Sequence, residues 1–162
     1  MKIKCYVALL LVFSLLLSAC STEVDPKEHL VEIYSAAFES IMENDKALNS
    51  NAKFISIDMD GLSDLTEQNK QDILKYFQEK YKIETMNASF EKLNEKGMFH
   101  SDTLSLDGVL LRIEKVEYVN NREVLFEGSK CRSGLGAFGC KGIIHFDNDG
   151  WEIKDFKTTW ES

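Results

Sequence analysis

The sequence predicts an α+β domain in which a long N-terminal helix and shorter helices pack on a C-terminal antiparallel sheet of about four strands. Three observations predict it. Leu30, Tyr34, Ala37, Phe38 and Ile41 recur at helical spacing. From Val109 onward apolar residues alternate at period two, with turn signals at Asn120-Asn121 and Asp149-Gly150. The chain has 162 residues, 44% hydrophobic and 28% charged, a globular balance with room for one domain. A single proline, Pro26, excludes Pro-rich linkers.

Taken in order, Asp25-Pro26 is a helix start, and the first helix is expected to run to about Ala47, where Asn49-Ser50-Asn51 breaks it. Lys53 to Asp58 reads as a short strand. Asp58-Met59-Asp60-Gly61 is a turn. Thr66 or Asp64 then caps a second helix, and Asp64 with Glu67 fits a capping box. Its apolar stripe is Ile73, Leu74, Phe77 and Tyr81. Ile83 to Ala88 suggests a strand, and Ser89 to Lys96 a short helix stopped by Gly97. Four strands follow, near Val109–Tyr118, Glu123–Gly128, Cys140–Phe146 and Trp151–Trp160, the last with a bulge near Asp155. Trp151, Phe156 and Trp160 are expected to face the helices.

The first residues differ in kind. Lys2 and Lys4 precede an apolar run from Val7 to Leu17, and Leu17-Ser18-Ala19-Cys20 follows. A basic end, a short apolar run and a small-residue exit make a secretory signal. The exit resembles the lipobox of bacterial lipoproteins. That resemblance implies cleavage before Cys20, a diacylglyceryl lipid on its thiol, and a mature chain anchored in the cell membrane and facing outside the cytoplasm. The organisation is then a signal peptide over 1–19, a tether over 20–25 and one domain over 26–162. The extended tether from Ser21 to Asp25 reaches at most about 17 Å. The element order of the domain resembles nuclear-transport-factor-2-like and cystatin-like domains, which implies a cone-shaped fold.

Removing Lys2 and Lys4 from the 19 basic residues leaves 17 against 27 acidic ones, a net charge of −10. That charge repels phosphate backbones and excludes nucleic acid as a partner. The expected partners are the membrane, through the anchor, and an envelope protein or small ligand.

With Cys5 and Cys20 assigned to the leader and the lipid, Cys131 and Cys140 remain, in a compartment where disulfides persist. A structural disulfide across a Gly-rich excursion is expected; a free thiol pair is the alternative. Leu135 and Phe138 make the Arg132–Phe138 loop a candidate contact surface, unless both fold back over the core. Gly134, Gly136 and Gly139 match a dinucleotide fingerprint, yet a strand rather than a helix follows. No cofactor is expected.

Asp58, Asp60, Gly61, Asp64 and Glu67 fall at the third, fifth, sixth, ninth and twelfth positions of an EF-hand-like calcium loop. Ser56 stands where the first Asp belongs, and turn-and-cap chemistry explains the same residues, so no metal is assigned. His29, His100 and His145 make no zinc-ligand set. Gly-x-Ser-x-Gly and His-Glu-x-x-His are absent, and Gly128-Ser129-Lys130 and Ser133-Gly134 read as turns. The favoured reading is a non-enzymatic binding or accessory module. The alternative is a small enzyme with a His145/Asp147 acid–base site in an aromatic-lined pocket.

Overall fold

The computed structural model describes residues 24–148 and 150–162; the leader, Cys20 and Asp149 lie outside the described residues. Asp25 caps a 3₁₀ turn over Pro26–Glu28, its carboxylate accepting the Lys27 amide at 2.9 Å. Helix α1 then spans Leu30–Glu43 and helix α2 Glu67–Tyr81. The short strand β1 (Phe54–Asp58) precedes α2, and β2 (Glu84–Met86), helix α3 (Phe90–Glu95) and β3 (Phe99–His100) follow it. The final third is β4 (Ser105–Asn120), β5 (Glu123–Ser133), β6 (Gly136–Asp147) and β7 (Gly150–Glu161).

The α+β class holds, with two corrections. The sheet has seven strands rather than about four, in the order β2-β1-β4-β5-β6-β7 with β3 beside β4. The extra strands belong to the helical half of the sequence. β1 lies parallel to both β2 and β4, pairing Ile55 with Val109 and Ile57 with Leu111, so one sheet crosses the whole domain. The long first helix is also not formed. A 3₁₀ turn precedes it, and α1, at 14 residues, is shorter than the 15-residue α2. It stops because Asn44 is extended and Asp45 is left-handed, with φ 47°.

Both faces of the sheet are used, unequally. α1 and α2 bury Phe38, Ile41, Ile73 and Phe77 against Ile57, Leu111, Phe126 and Ile144. α3 brings Leu93 to a second cluster with Phe54, Leu106 and Leu110. The first half of β4 is therefore buried on both sides, which explains the unbroken apolar run Val109-Leu110-Leu111. Further along, the face away from α1 is open to water. Lys115, Glu127 and Lys141 lie side by side there, with Lys141 and Glu127 paired at 2.9 Å.

Local signals were resolved as follows. Thr66 is the cap of α2, and its box partner is Asn69: Thr66 Oγ1 accepts the Asn69 amide at 3.1 Å and Asn69 Oδ1 accepts the Thr66 amide at 3.0 Å. The Asp64–Glu67 box is not formed. Ser89 caps α3, and Gly97 follows at φ +69°. The bulge in β7 falls at Lys154, between Ile153 and Asp155.

The Cys131–Cys140 disulfide is not formed, and both thiols are free. No excursion separates these residues. β5 and β6 pair as far as Ser133 and Gly136, leaving a two-residue turn. Cys131 pairs with Ala137, three positions from Cys140, so the cysteines lie about 10 Å apart along the strand and on opposite faces. Bridging requires Cα atoms within about 7 Å. Burial pushes the Cys140 thiol up to about 12, where it is inert. Alkylation of the urea-unfolded, unreduced full chain is expected to label both cysteines. A linked peptide pair on mass spectrometry would refute this.

Candidate functional site

The residues singled out by sequence do not converge. Leu135 sits at the hairpin tip, 91% exposed, whereas Phe138 is 2% exposed in the main core. The contact-loop expectation for the pair is thus corrected. Strand pairing continues to the turn, and alternation sends Phe138 under α1.

The calcium-loop carboxylates each answer a different partner. Asp58 accepts from Arg112 Nε at 3.0 Å, Asp60 from Lys92 at 2.6 Å, and Glu67 from Lys70 at 2.8 Å. Asp64 accepts from the hydroxyls of Tyr34 at 2.9 Å and Tyr118 at 2.5 Å. Burial and the Asp64 charge drive both tyrosine pKa values upward. Among the described residues no three His, Cys, Asp or Glu groups gather as metal ligands.

His145 lies on the open face, flanked in register by Glu123 and Glu152, with Asp147 two positions along its own strand. Trp151 pairs with Phe146 and points to the other face, its ring 5.6 Å from that of Phe146. His145 and the core aromatics are therefore divided by the sheet, and the aromatic-lined acid–base pocket is not assembled. Trp160 departs too. Cys140 pairs with Thr158 but Gly139 with Trp160, and the extra residue, Thr159, turns the indole outward to 50% exposure. Two Ser-x-x-Lys spacings carry no acyl-transfer geometry. Ser89 Oγ caps α3 while Lys92 holds Asp60, and the Lys53 amine, after Ser50, holds Asp107 at 2.9 Å.

A different site emerges between α1 and the start of β7. Val31, Ser35 and Glu39, one helical turn apart, line a cleft of about 530 Å³ together with Gly150–Ile153 and Tyr76 of α2. That volume suits a ligand. Val31, Ala36, Trp151 and Ile153 give it an apolar surface, and Ile153 is 40% exposed. Two of its residues carry unpartnered buried polar atoms, Ser35 Oγ and Trp151 Nε1, in side chains each 7% exposed. Buried polar groups are almost always bonded, and each orphan costs about 1–3 kcal/mol. Other hollows are present. A neighbouring one of about 370 Å³, over Asp147 and Asn148, shares Trp151. One of about 240 Å³ lies over Leu125 and Ile143 on the open face, and one of about 720 Å³ lies beside Lys75, Glu79 and Lys82.

The acidic residues of the cleft are already matched. Glu32, Glu39 and Glu43 of α1 line it, while Glu152 pairs in register with His145 and so points to the open face. Glu39 is bonded by Lys80 and by the Tyr76 hydroxyl. Glu43 takes Lys46 at 2.9 Å and the Tyr81 hydroxyl at 2.8 Å, which hold it below the usual carboxylate range. Glu32 meets His29 at 3.3 Å.

Comparison with protein-family profiles, curated proteins and solved structures finds no match to this chain. The site is therefore read from its own chemistry.

Sequence reasoning missed one further residue. Lys130 is fully buried, and its amine donates to the carbonyls of Met42 (3.0 Å), Asn44 (2.6 Å) and Asp45 (3.0 Å) and to Asn49 Oδ1 (2.8 Å). It binds the C-terminus of α1, where the helix dipole favours a cation. Lys130 thereby pins the helix wall of the cleft to β5. The signal was present in the alternation Val124, Phe126, Gly128, Lys130, which places the lysine on the core face.

Proposed function

We propose that this protein is a membrane-tethered, non-enzymatic binding module that takes its ligand in the cleft between α1 and β7. Cys20 is the lipidated first residue of the mature chain, and the tether over 20–25 holds the domain near the outer surface of the cell membrane. The observation that supports the binding role is the cleft itself, about 530 Å³ between α1 and β7, with apolar walls from Val31, Ala36, Trp151 and Ile153. The dispersal of His145, Asp147 and the aromatics across two faces favours binding over acid–base chemistry. The lipid attachment rests on the lipobox-like Leu17-Ser18-Ala19-Cys20; among the described residues no helix is long and apolar enough to cross a membrane.

The experiment is thermal melting of the full chain in detergent against a panel of peptides and small envelope metabolites. A ligand at a hundred times its Kd is expected to add about 2.7 kcal/mol and raise Tm by several degrees. Ala36→Trp, which fills the cleft, is expected to abolish the rise while leaving the unliganded melt within a few degrees. A rise that survives Ala36→Trp and vanishes in Leu125→Asp on the open face would overturn the cleft as the site. Intact mass of protein from its native host is expected to show a lipidated chain starting at Cys20. A water-soluble form starting elsewhere would overturn the anchor.

A further inference from the structure

We propose that the sheet face turned away from α1 carries a second binding site, for a neutral glycan, built from Trp160 and the hollow over Leu125 and Ile143. This site goes beyond the cleft and shares no lining residue with it.

The indole comes first. Tryptophan is highly buried on average, yet Trp160 is 50% exposed. Two features of the chain put it there. The bulge at Thr159 turns the side chain to the open face, and bulges re-aim side chains beside functional sites. Opposite it in register stands Gly139, where an added Cβ would lie 2.0 Å from the indole Nε1 and 2.5 Å from Cε2. The indole therefore occupies the space that any other side chain at position 139 would fill, with the rest of its surface in water. A glycine inside a strand marks such a close approach.

The hollow comes second. Lys141 is the next residue of β6 on the same face as Gly139, and Ile143 the one after. The hollow, of about 240 Å³, has Leu125 and Ile143 in its floor, with Lys115, Lys141, Lys157, Glu117, Glu127 and Asp155 around them. Three ammonium groups and three carboxylates give donors and acceptors without a net charge. Gly139 and Ile143 lie about 13 Å apart along the strand, so one short run of sugar rings covers both the indole and the hollow.

Chemistry chooses the occupant. A pyranose ring carries C–H bonds on its faces and hydroxyls around its equator. The C–H groups suit the negative face of an indole and the apolar floor of Leu125 and Ile143. The hydroxyls both donate and accept, so they suit interspersed lysines and carboxylates. The Lys141–Glu127 pair, at 2.9 Å, does not block this, because the ammonium keeps further protons and the carboxylate further lone pairs. A cation over the indole is opposed by Lys141 and Lys157, paired in the adjoining row. A proline-rich segment docks in grooves lined by aromatic rings, whereas Arg112, Ser129 and Gly139 complete the row of Trp160 without another.

The test uses the full chain in a polyoxyethylene detergent, which has no sugar head, in a Trp151→Phe background so that indole emission reports Trp160. Three probes are titrated: the trimer of N-acetylglucosamine, a blocked proline hexapeptide, and spermidine. The trimer is expected to bind in the roughly 1 mM range and to shift Trp160 emission to the blue. Its binding is expected to be alike at low and high salt. By calorimetry, Trp160→Ala and Gly139→Ala, which displaces the indole, are each expected to weaken it at least tenfold with an unchanged circular dichroism spectrum. Leu125→Asp, in the floor of the hollow, is expected to weaken it at least threefold. No emission change at about 10 mM trimer would overturn the proposal. So would binding that survives Trp160→Ala, or equal binding of either other probe. Ala36→Trp, in the cleft, is expected to leave trimer binding unchanged. Loss of binding in that variant would move the sugar to the cleft and overturn the site on this face.

Discussion

Replacing Lys130 by methionine is expected to destabilise the domain by about 2–3 kcal/mol, although methionine matches the lysine stem closely in shape. Four acceptors surround the amine, and three are the carbonyls that end α1. Removing the donor leaves them buried or half-buried without their partner, at about 1–3 kcal/mol for each group that water cannot reach. The loss of desolvation cost on removing a buried charge offsets part of this. Urea unfolding followed by circular dichroism measures the net. Lys130→Arg is not expected to rescue, because the guanidinium is too large for a site closed by Phe138, whose ring lies 5.5 Å from the amine. A loss below about 1 kcal/mol for methionine would show that the α1 terminus finds other donors.

The same lysine carries a pH signature. Burial pushes its amine down to about 8, against about 10.4 in an unfolded chain. Between those values the unfolded chain holds more protons, so stability contributed at this site rises with pH across the window. The gap between the native chain and Lys130→Met is therefore expected to widen from pH 7.5 to about 9.5. Tyr34, Tyr81 and Tyr118 have pKa values raised above that of free tyrosine, so they act in the opposite sense only above about pH 10. They are common to both chains and cancel in the difference. A gap that is flat or narrows would refute the buried lysine as the titrating group.

Much of the local structure was legible, because local rules fix it. Asp25-Pro26, Ser89 and Gly97 mark element ends by their own side-chain or backbone chemistry. The four long strands were legible from alternation. What was not legible depends on partners distant in sequence. That β1 and β2 join the main sheet depends on parallel pairing across some fifty residues, which no periodicity encodes. The face of Trp160 depends on one extra residue, Thr159, opposite the β6 strand. The disulfide failed for the same reason. Spacing suggested a loop, whereas strand pairing set the cysteines three positions apart on opposite faces. The cleft lay beyond reach because Ser35 and Trp151 are ordinary core residues in sequence, and only packing shows their polar atoms without partners.

Gly108→Ala is expected to cost about 3 kcal/mol, the upper part of the usual overpacking range. An added Cβ would lie 2.3 Å from the Phe54 carbonyl oxygen and 2.6 Å from its ring. Phe54 is 2% exposed and begins β1, whose parallel pairing to β4 joins the helical half of the chain to the sheet. The obstruction is backbone, so relief requires the two strands to part. Gly139→Ala makes the control. Its Cβ would lie 2.0 Å from Trp160 Nε1, a closer approach, yet that indole is half exposed on an edge strand and can swing into water. Gly139→Ala is expected to cost under about 1 kcal/mol, within the range of ordinary surface changes. It is also expected to red-shift Trp160 emission in a Trp151→Phe background. Urea denaturation ranks the two variants. If Gly139→Ala proved the more damaging, the closest distance rather than the mobility of the obstructing atom would govern the cost, and β1 would be free to move away from β4.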